Sequence, residues 1–228
     1  MSSNAIIFIC HNNESIERVI DKIEIDNVYL MIVGFNEIRE KYTKHPKIIF
    51  ARNFPNHIEK EKELLTLTAW YCISKNNLFR DKEYLCLLEY DVILEDFFIP
   101  SLNQLCQNNN VDVISFMYSD ICLEWITKRH ILEPFINLKK MNLPANEKYH
   151  WFPTTNQCIR RKMVDDFVDW YYPDCHILKT SDPNFFAHYH ERLFSYYAKE
   201  TGKRITCIPG LNHLFLASHK NFTENNTL

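Results

Sequence analysis

The chain has 228 residues, of which 46% are hydrophobic and 24% charged, with a formal net charge of −3. That is length and apolar content for one α/β domain with a real core, and the composition is not that of a disordered chain. Basic residues are scattered, as in Arg160-Arg161-Lys162, so no stripe suits a nucleic-acid backbone and that partner class is set aside.

Residues 5–10 form an apolar run without a basic segment before it, which reads as a first buried strand and not as a signal peptide. Residues 15–23 place Ile16, Val19, Ile20 and Ile23 on one helical face. The run 28–34 is near-continuously apolar, as in a strand covered on both sides, and 47–51 is a third such run. A helix is predicted over 58–73, with Glu59 and Glu61 in its first turn. Residues 84–88 give a fourth strand, 97–106 a helix and 111–116 another strand. Beyond these the chain is less regular and richer in aromatics, with helices predicted at 161–170 and 185–199. The latter stops before Gly202, a residue suited to a helix end, and a last strand follows at 205–208. Repeated strand–helix–strand order predicts an α/β fold, a mainly parallel sheet flanked by helices.

Only three glycines are present, at 34, 202 and 210, which excludes a glycine-rich phosphate loop of the Walker or GxGxxG kind. Eight cysteines show no CxxC pair, and several lie in apolar runs as small hydrophobes. A reducing, cytoplasmic compartment follows as the expectation. No run reaches the roughly 20 apolar residues that span a bilayer; peripheral contact with a membrane stays compatible with the sequence.

The feature that carries chemistry is Glu89-Tyr90-Asp91, directly after the strand 84–88. Two carboxylates at the carboxyl end of a buried parallel strand face the crevice where open α/β sheets bind ligands. Hard divalent ions take carboxylate oxygens and commonly bridge to substrate phosphates. The same pair would also serve to cap or solvate a loop.

The run 84–94, apolar residues leading into this triplet, resembles the DxD-type region of GT-A glycosyltransferases, most closely the small microbial or viral enzymes that build surface glycans. The resemblance implies a GT-A, Rossmann-like fold, with a nucleotide-binding half at about 1–118, an acceptor half at about 119–219 and a polar tail at 220–228. It implies a manganese or magnesium ion at a nucleoside-diphosphate sugar, UDP-sugar before GDP-sugar, and a glycan or other hydroxyl acceptor. Asp91 would be the direct metal ligand and Glu89 would assist through metal, water or ribose. His11 and Asn12 stand where such folds receive the nucleotide base, and His213 and His219 where a third metal ligand is supplied. The first acid is Glu where the motif has Asp.

An inverting transferase needs a base for the acceptor hydroxyl. Glu191 is the first candidate and Asp182 the second, both in the segment 182–194; a structural ion pair with Arg192 is the competing role for Glu191. Trp151, with Thr154 and Asn156 close behind, is the candidate sugar platform, whereas Trp170 reads as core. Arg160-Arg161-Lys162 would either approach donor phosphates or form a solvated helix start. Two other functions compete. A sugar-phosphate nucleotidyltransferase is disfavoured because Cys10-His11-Asn12-Asn13-Glu14 lacks a glycine-rich basic loop. A non-catalytic carbohydrate- or nucleotide-binding module is disfavoured by the intact acidic pair.

Overall fold

The computed structural model describes residues 3–64, 66–92, 96–107, 111–116, 128–142 and 156–207. In chain order these form β1 (Asn4–Cys10), α1 (Asn13–Glu17), β2 (Val28–Ile32), α2 (Glu40–Thr43), β3 (Ile48–Phe50), α3 (Leu67–Lys75), β4 (Tyr84–Glu89), α4 (Phe98–Gln107) and β5 (Val113–Ser115). There follow α5 (Arg129–Leu138), β6 (Gln157–Arg160), α6 (Arg161–Tyr171), α7 (His176–Ser181), α8 (Phe186–Glu200) and β7 (Ile205–Cys207).

All seven strands join one sheet in the order β3-β2-β1-β4-β6-β5-β7. Its pairs are parallel except those made by β6, which runs against both β4 and β5. The mainly parallel α/β architecture expected from the strand–helix alternation is therefore present. Strand side chains alternate between two apolar layers: Ala5, Ile7 and Ile9 of β1 face the layer built with α3, α5, α6 and α8, while Ile6, Phe8 and Cys10 face the layer built with α1 and α4. Both faces are covered, which is why β1 and β4 read as continuous apolar runs. The first layer is rich in rings, with Trp70, Phe167 and Phe194 packed edge to face at 5.1–5.8 Å.

Three local differences from the sequence pattern have physical causes. The stretch 58–61 is not helical; a 3₁₀ turn at Lys62–Leu64 precedes α3. Glu59 is drawn inward to the Gly34 amide, and the Tyr172 hydroxyl donates to Glu61 at 2.7 Å, so tertiary contacts override helical propensity. Residues 15–23 split into α1 and a 3₁₀ turn at Ile20–Glu24. β6 and α5 are additional elements: β6 is only four residues long, and α5 carries Pro134 inside it, which masks a helical pattern.

Arg160-Arg161-Lys162 lies at the opposite end of β4 from Glu89, because Arg160 registers with Tyr84. Arg161 is buried, donating to the carbonyls of Ile73 and Leu78 at the end of α3 and pairing with Asp165 at 2.7 Å. Neither a phosphate site nor a solvated helix start describes it. Arg161 is a clamp between α6 and the carboxyl end of α3. Among the described residues, Cys10, Cys72, Cys86, Cys106, Cys158 and Cys175 are buried free thiols, and no helix is long and apolar enough to cross a membrane.

Candidate active site at the switch point of the sheet

Chain order along the sheet reverses between β1 and β4. From β1 the chain winds outward through β2 to β3, then returns to lay β4 on the other side of β1. The crossover helices must diverge there, leaving a crevice outside the carboxyl ends of the two strands. Glu89 closes β4 opposite Ile9 of β1, so Glu89-Tyr90-Asp91 and His11 meet at that crevice. The His11 and Tyr90 rings touch edge to face with centroids 5.0 Å apart, and the Arg18 guanidinium lies 5.7 Å from the Tyr90 centroid. Burial, then the charge of Asp91, raises the Tyr90 phenol pKa, with Glu89 adding and Arg18 opposing. Burial lowers that of His11 against a smaller pull from Glu14, so its imidazole is neutral at neutral pH.

Two residues expected to touch ligand have structural tasks. Asn12 is the N-cap of α1: its side-chain oxygen accepts from the Ser15 amide at 2.8 Å, and the Ser15 hydroxyl accepts from the Asn12 amide at 3.0 Å. That oxygen is committed to the cap. Asn156 is buried, and its side-chain oxygen accepts from the Glu89 amide at 2.6 Å. It sits one residue before β6, where the β4–β6 ladder has ended at Leu87 and Gln157. A side chain thus continues the ladder and fixes the backbone that leads into the triplet. Trp151, His213 and His219 lie outside the described residues.

Topology brings the second acidic cluster to the same edge. The carboxyl end of α8 leads into β7 beside Asp112, at the amino end of the sheet, with the Arg204 amide bonded to Asp112 at 2.9 Å. Its 15 residues rise about 22 Å, which returns the start of α8 to the carboxyl edge. There Asp182 accepts from Lys128 and from the Tyr189 hydroxyl at 3.0 Å. Burial works to raise the Asp182 pKa, but these hydrogen bonds and the Lys128 charge outweigh it and the net displacement is downward. Glu191 pairs with Arg192 at 2.6 Å and has His188 at 3.8 Å. Phe185 lies between the two clusters, with Lys128 and Arg192 4.9 and 5.1 Å from its centroid. The ion pair considered for Glu191 is therefore present.

A third group at this edge has no signature in the sequence pattern. Glu59, only 2% exposed, bonds the amide of Gly34 just past β2, with His57 and Arg52 close enough to act on its charge. Burial raises its pKa and these neighbours partly counter that. A surface-type charge pattern, Glu59-Lys60-Glu61-Lys62-Glu63, surrounds it, so only the missing first turn of the predicted helix could have exposed it.

Glu89 and Asp91 suit a hard divalent ion that takes its other ligands from a diphosphate and water. Among the described residues no group of three His, Cys, Asp or Glu side chains is arranged to hold a metal by itself.

No known protein family and no curated protein matches the sequence. Among solved structures the chain is similar to the mannosyltransferase Ktr4p from S. cerevisiae, with 12% identity and a TM-score of 0.36. The match covers 89% of this chain and 63% of that one. At that score the likeness carries no argument about chemistry, which rests on the site itself.

Proposed function

We propose that the chain is a glycosyltransferase that moves a sugar from a nucleoside diphosphate, UDP before GDP, to a hydroxyl of a glycan or other acceptor. The observation that supports this reading most is the position of Glu89 and Asp91 at the carboxyl end of β4, beside β1, where the sheet reverses. Manganese or magnesium held there would offset the charge that develops on the departing diphosphate. Asp91 would be the direct ligand and Glu89 its partner, with His213 or His219 as a third. The halves at about 1–118 and 119–219 would serve donor and acceptor. Buried free thiols fit a cytoplasmic setting.

On the acceptor side Glu191 is the better base. Lys128 and Tyr189 hold the Asp182 pKa down, which weakens it as a proton acceptor. The base is required only if configuration inverts; near wild-type turnover in Glu191→Gln would move it elsewhere.

The test is release of nucleoside diphosphate from a panel of nucleotide sugars with Mn²⁺ and an oligosaccharide acceptor. Asp91→Ala is expected to lower turnover by about 10²–10³-fold, the scale of losing one preorganised electrostatic contact, with unchanged thermal unfolding. Unchanged metal-dependent turnover would overturn the site. Nucleotide binding without turnover against any acceptor would favour the binding module.

A further inference from the structure

The ladder between β1 and β2 ends where the Val33 amide donates to the Cys10 carbonyl at 2.8 Å. Beyond that point side chains keep the two segments joined. The Asn36 side-chain amide donates to the His11 carbonyl at 2.7 Å, and that of Asn13 donates to the Glu37 carbonyl at 3.0 Å. The Arg39 backbone amide donates to the Asn13 side-chain oxygen at 2.9 Å. The loop 34–39 is held in turn from the β3 side. Glu59 accepts from the Gly34 amide, and Arg52 donates to the Asn36 carbonyl at 3.3 Å. Gly34, at φ +83°, makes the turn from which Asn36 reaches His11.

The bonds of Asn36, Asn13 and Arg52 are exposed and add little to stability, and the buried ladder already joins β1 to β2. What they supply is position. His11 is fixed at both backbone groups, its amide on the Ser15 hydroxyl at 3.0 Å and its carbonyl on Asn36. Its ring meets Tyr90 edge to face, and Tyr90 packs against the apolar layer built with α1 and α4. Glu89 is the last residue of β4, whereas Tyr90 and Asp91 form a turn with no ladder to hold it. Tyr90 joins the two acids through the backbone, so holding its ring holds the turn that presents them.

A binding constellation must be held to within about 0.5 Å, and groups that orient metal ligands from outside commonly set metal affinity by about 10–100-fold. Resting on the metal-site reading above, we infer that Asn36 is a positioning residue for the triplet. It acts through the His11 backbone and the contact of His11 with Tyr90, so that loop 34–39 sets the affinity of Glu89 and Asp91 for a divalent ion.

Titration with Mn²⁺ alone, the free ion read by electron spin resonance, tests this beside thermal unfolding. Asn36→Leu, similar in shape but without the donor, should weaken Mn²⁺ by about 10-fold while unfolding stays close to wild type. Asn36→Gln, which can still donate, should stay within about threefold of wild type. His11→Ala removes the ring contact and should match the loss in Asn36→Leu. His11→Phe keeps a ring edge on Tyr90 and should retain most of the affinity. The double variant Asn36→Leu with His11→Ala should lose no more than the larger single change, because both act along one route. Unchanged affinity in Asn36→Leu while Asp91→Ala loses it, or losses that multiply in the double variant, would overturn the brace and leave the metal site standing. Equal Mn²⁺ affinity in wild type and Asp91→Ala, or binding in neither, would remove both.

Discussion

At Tyr84, where β4 begins, charge is met by charge. Arg160 pairs with Glu83 at 2.6 Å and Asp112 at 3.0 Å and lies over the Tyr84 ring, and Arg204 reaches the same Asp112. At Glu89, where the strand ends, two carboxylates bracket a phenol whose ionisation their charge opposes, beside a neutral His11 and near the buried acid Glu59. About 17 Å of strand separate the two ends, and the same side-chain types serve different ends. Pairing neutralises the amino end and joins β4, β5, β6 and β7 there. The carboxyl end sets Glu89 and Asp91 at a crevice, with the ion pairs Lys128–Asp182 and Arg192–Glu191 on the same edge.

Charge removal at the two ends should therefore separate activity from stability. Asp91→Ala carries the largest expected effect, on turnover. Glu83→Gln at the other end should leave turnover within about twofold, since an exposed or half-exposed ion pair contributes only about 0–1 kcal/mol. If Glu83→Gln reduced turnover as Asp91→Ala does, the contrast between the ends would fail.

Acid should expose the carboxyl side next. His190 is buried on α8, its Nε2 3.1 Å from the Thr66 hydroxyl just before α3. Burial lowers its pKa from 6.5 to about 4, with Glu191 opposing and Arg192 and His188 assisting. Between those values the unfolded chain binds the extra proton, so this contribution to stability is full above pH 6.5 and is lost as pH falls toward 4. Over that window the loss is about 3 kcal/mol. Urea unfolding of wild type and His190→Gln at pH 7 and 4.5 isolates it, because Glu59, whose raised pKa acts in the opposite sense, is common to both. Parallel pH dependence in the two proteins would show that His190 does not supply the slope.

The parallel half of the fold was legible because β1, β2 and β4 are buried on both faces and must be apolar throughout. β6 escaped because four residues carry no period, and its partner is set by a long-range antiparallel pairing. The same logic divides the site. Glu89 and Asp91 could be read from their place after an apolar run. The helix cap at Asn12 and the strand-end bond of Asn156 were not legible, because an amide with such a task looks in sequence like one that binds a base or a sugar. Glu59 was hidden by its charged neighbours, since only tertiary contact to Gly34 turns it inward.

Arg161 gives a smaller effect at the amino end. Arg161→Met keeps much of the aliphatic stem but leaves the carbonyls of Ile73 and Leu78 without their donor. About 2 kcal/mol of stability should be lost, read by urea unfolding, with metal-dependent turnover intact. A turnover defect in a protein still fully folded would mean that the clamp reaches the crevice through α3.

Asn156 closes the series because it joins structure to site through one hydrogen bond. Removing its side chain leaves the Glu89 amide without the oxygen that extends the β4–β6 ladder. The strand itself ends there, so the fold should lose only about 1 kcal/mol. Turnover and Mn²⁺ affinity should fall by about 10-fold or more, the usual scale for a group that orients a metal ligand. Asn156→Asp restores an accepting oxygen at the same place but adds a negative charge near Glu89 and Asp91. It should recover turnover at saturating Mn²⁺ while raising the pH needed for activity, whereas Asn156→Ala should recover little. A sugar-binding Asn156 would behave differently: both variants would raise the acceptor or donor KM, and neither would change Mn²⁺ affinity.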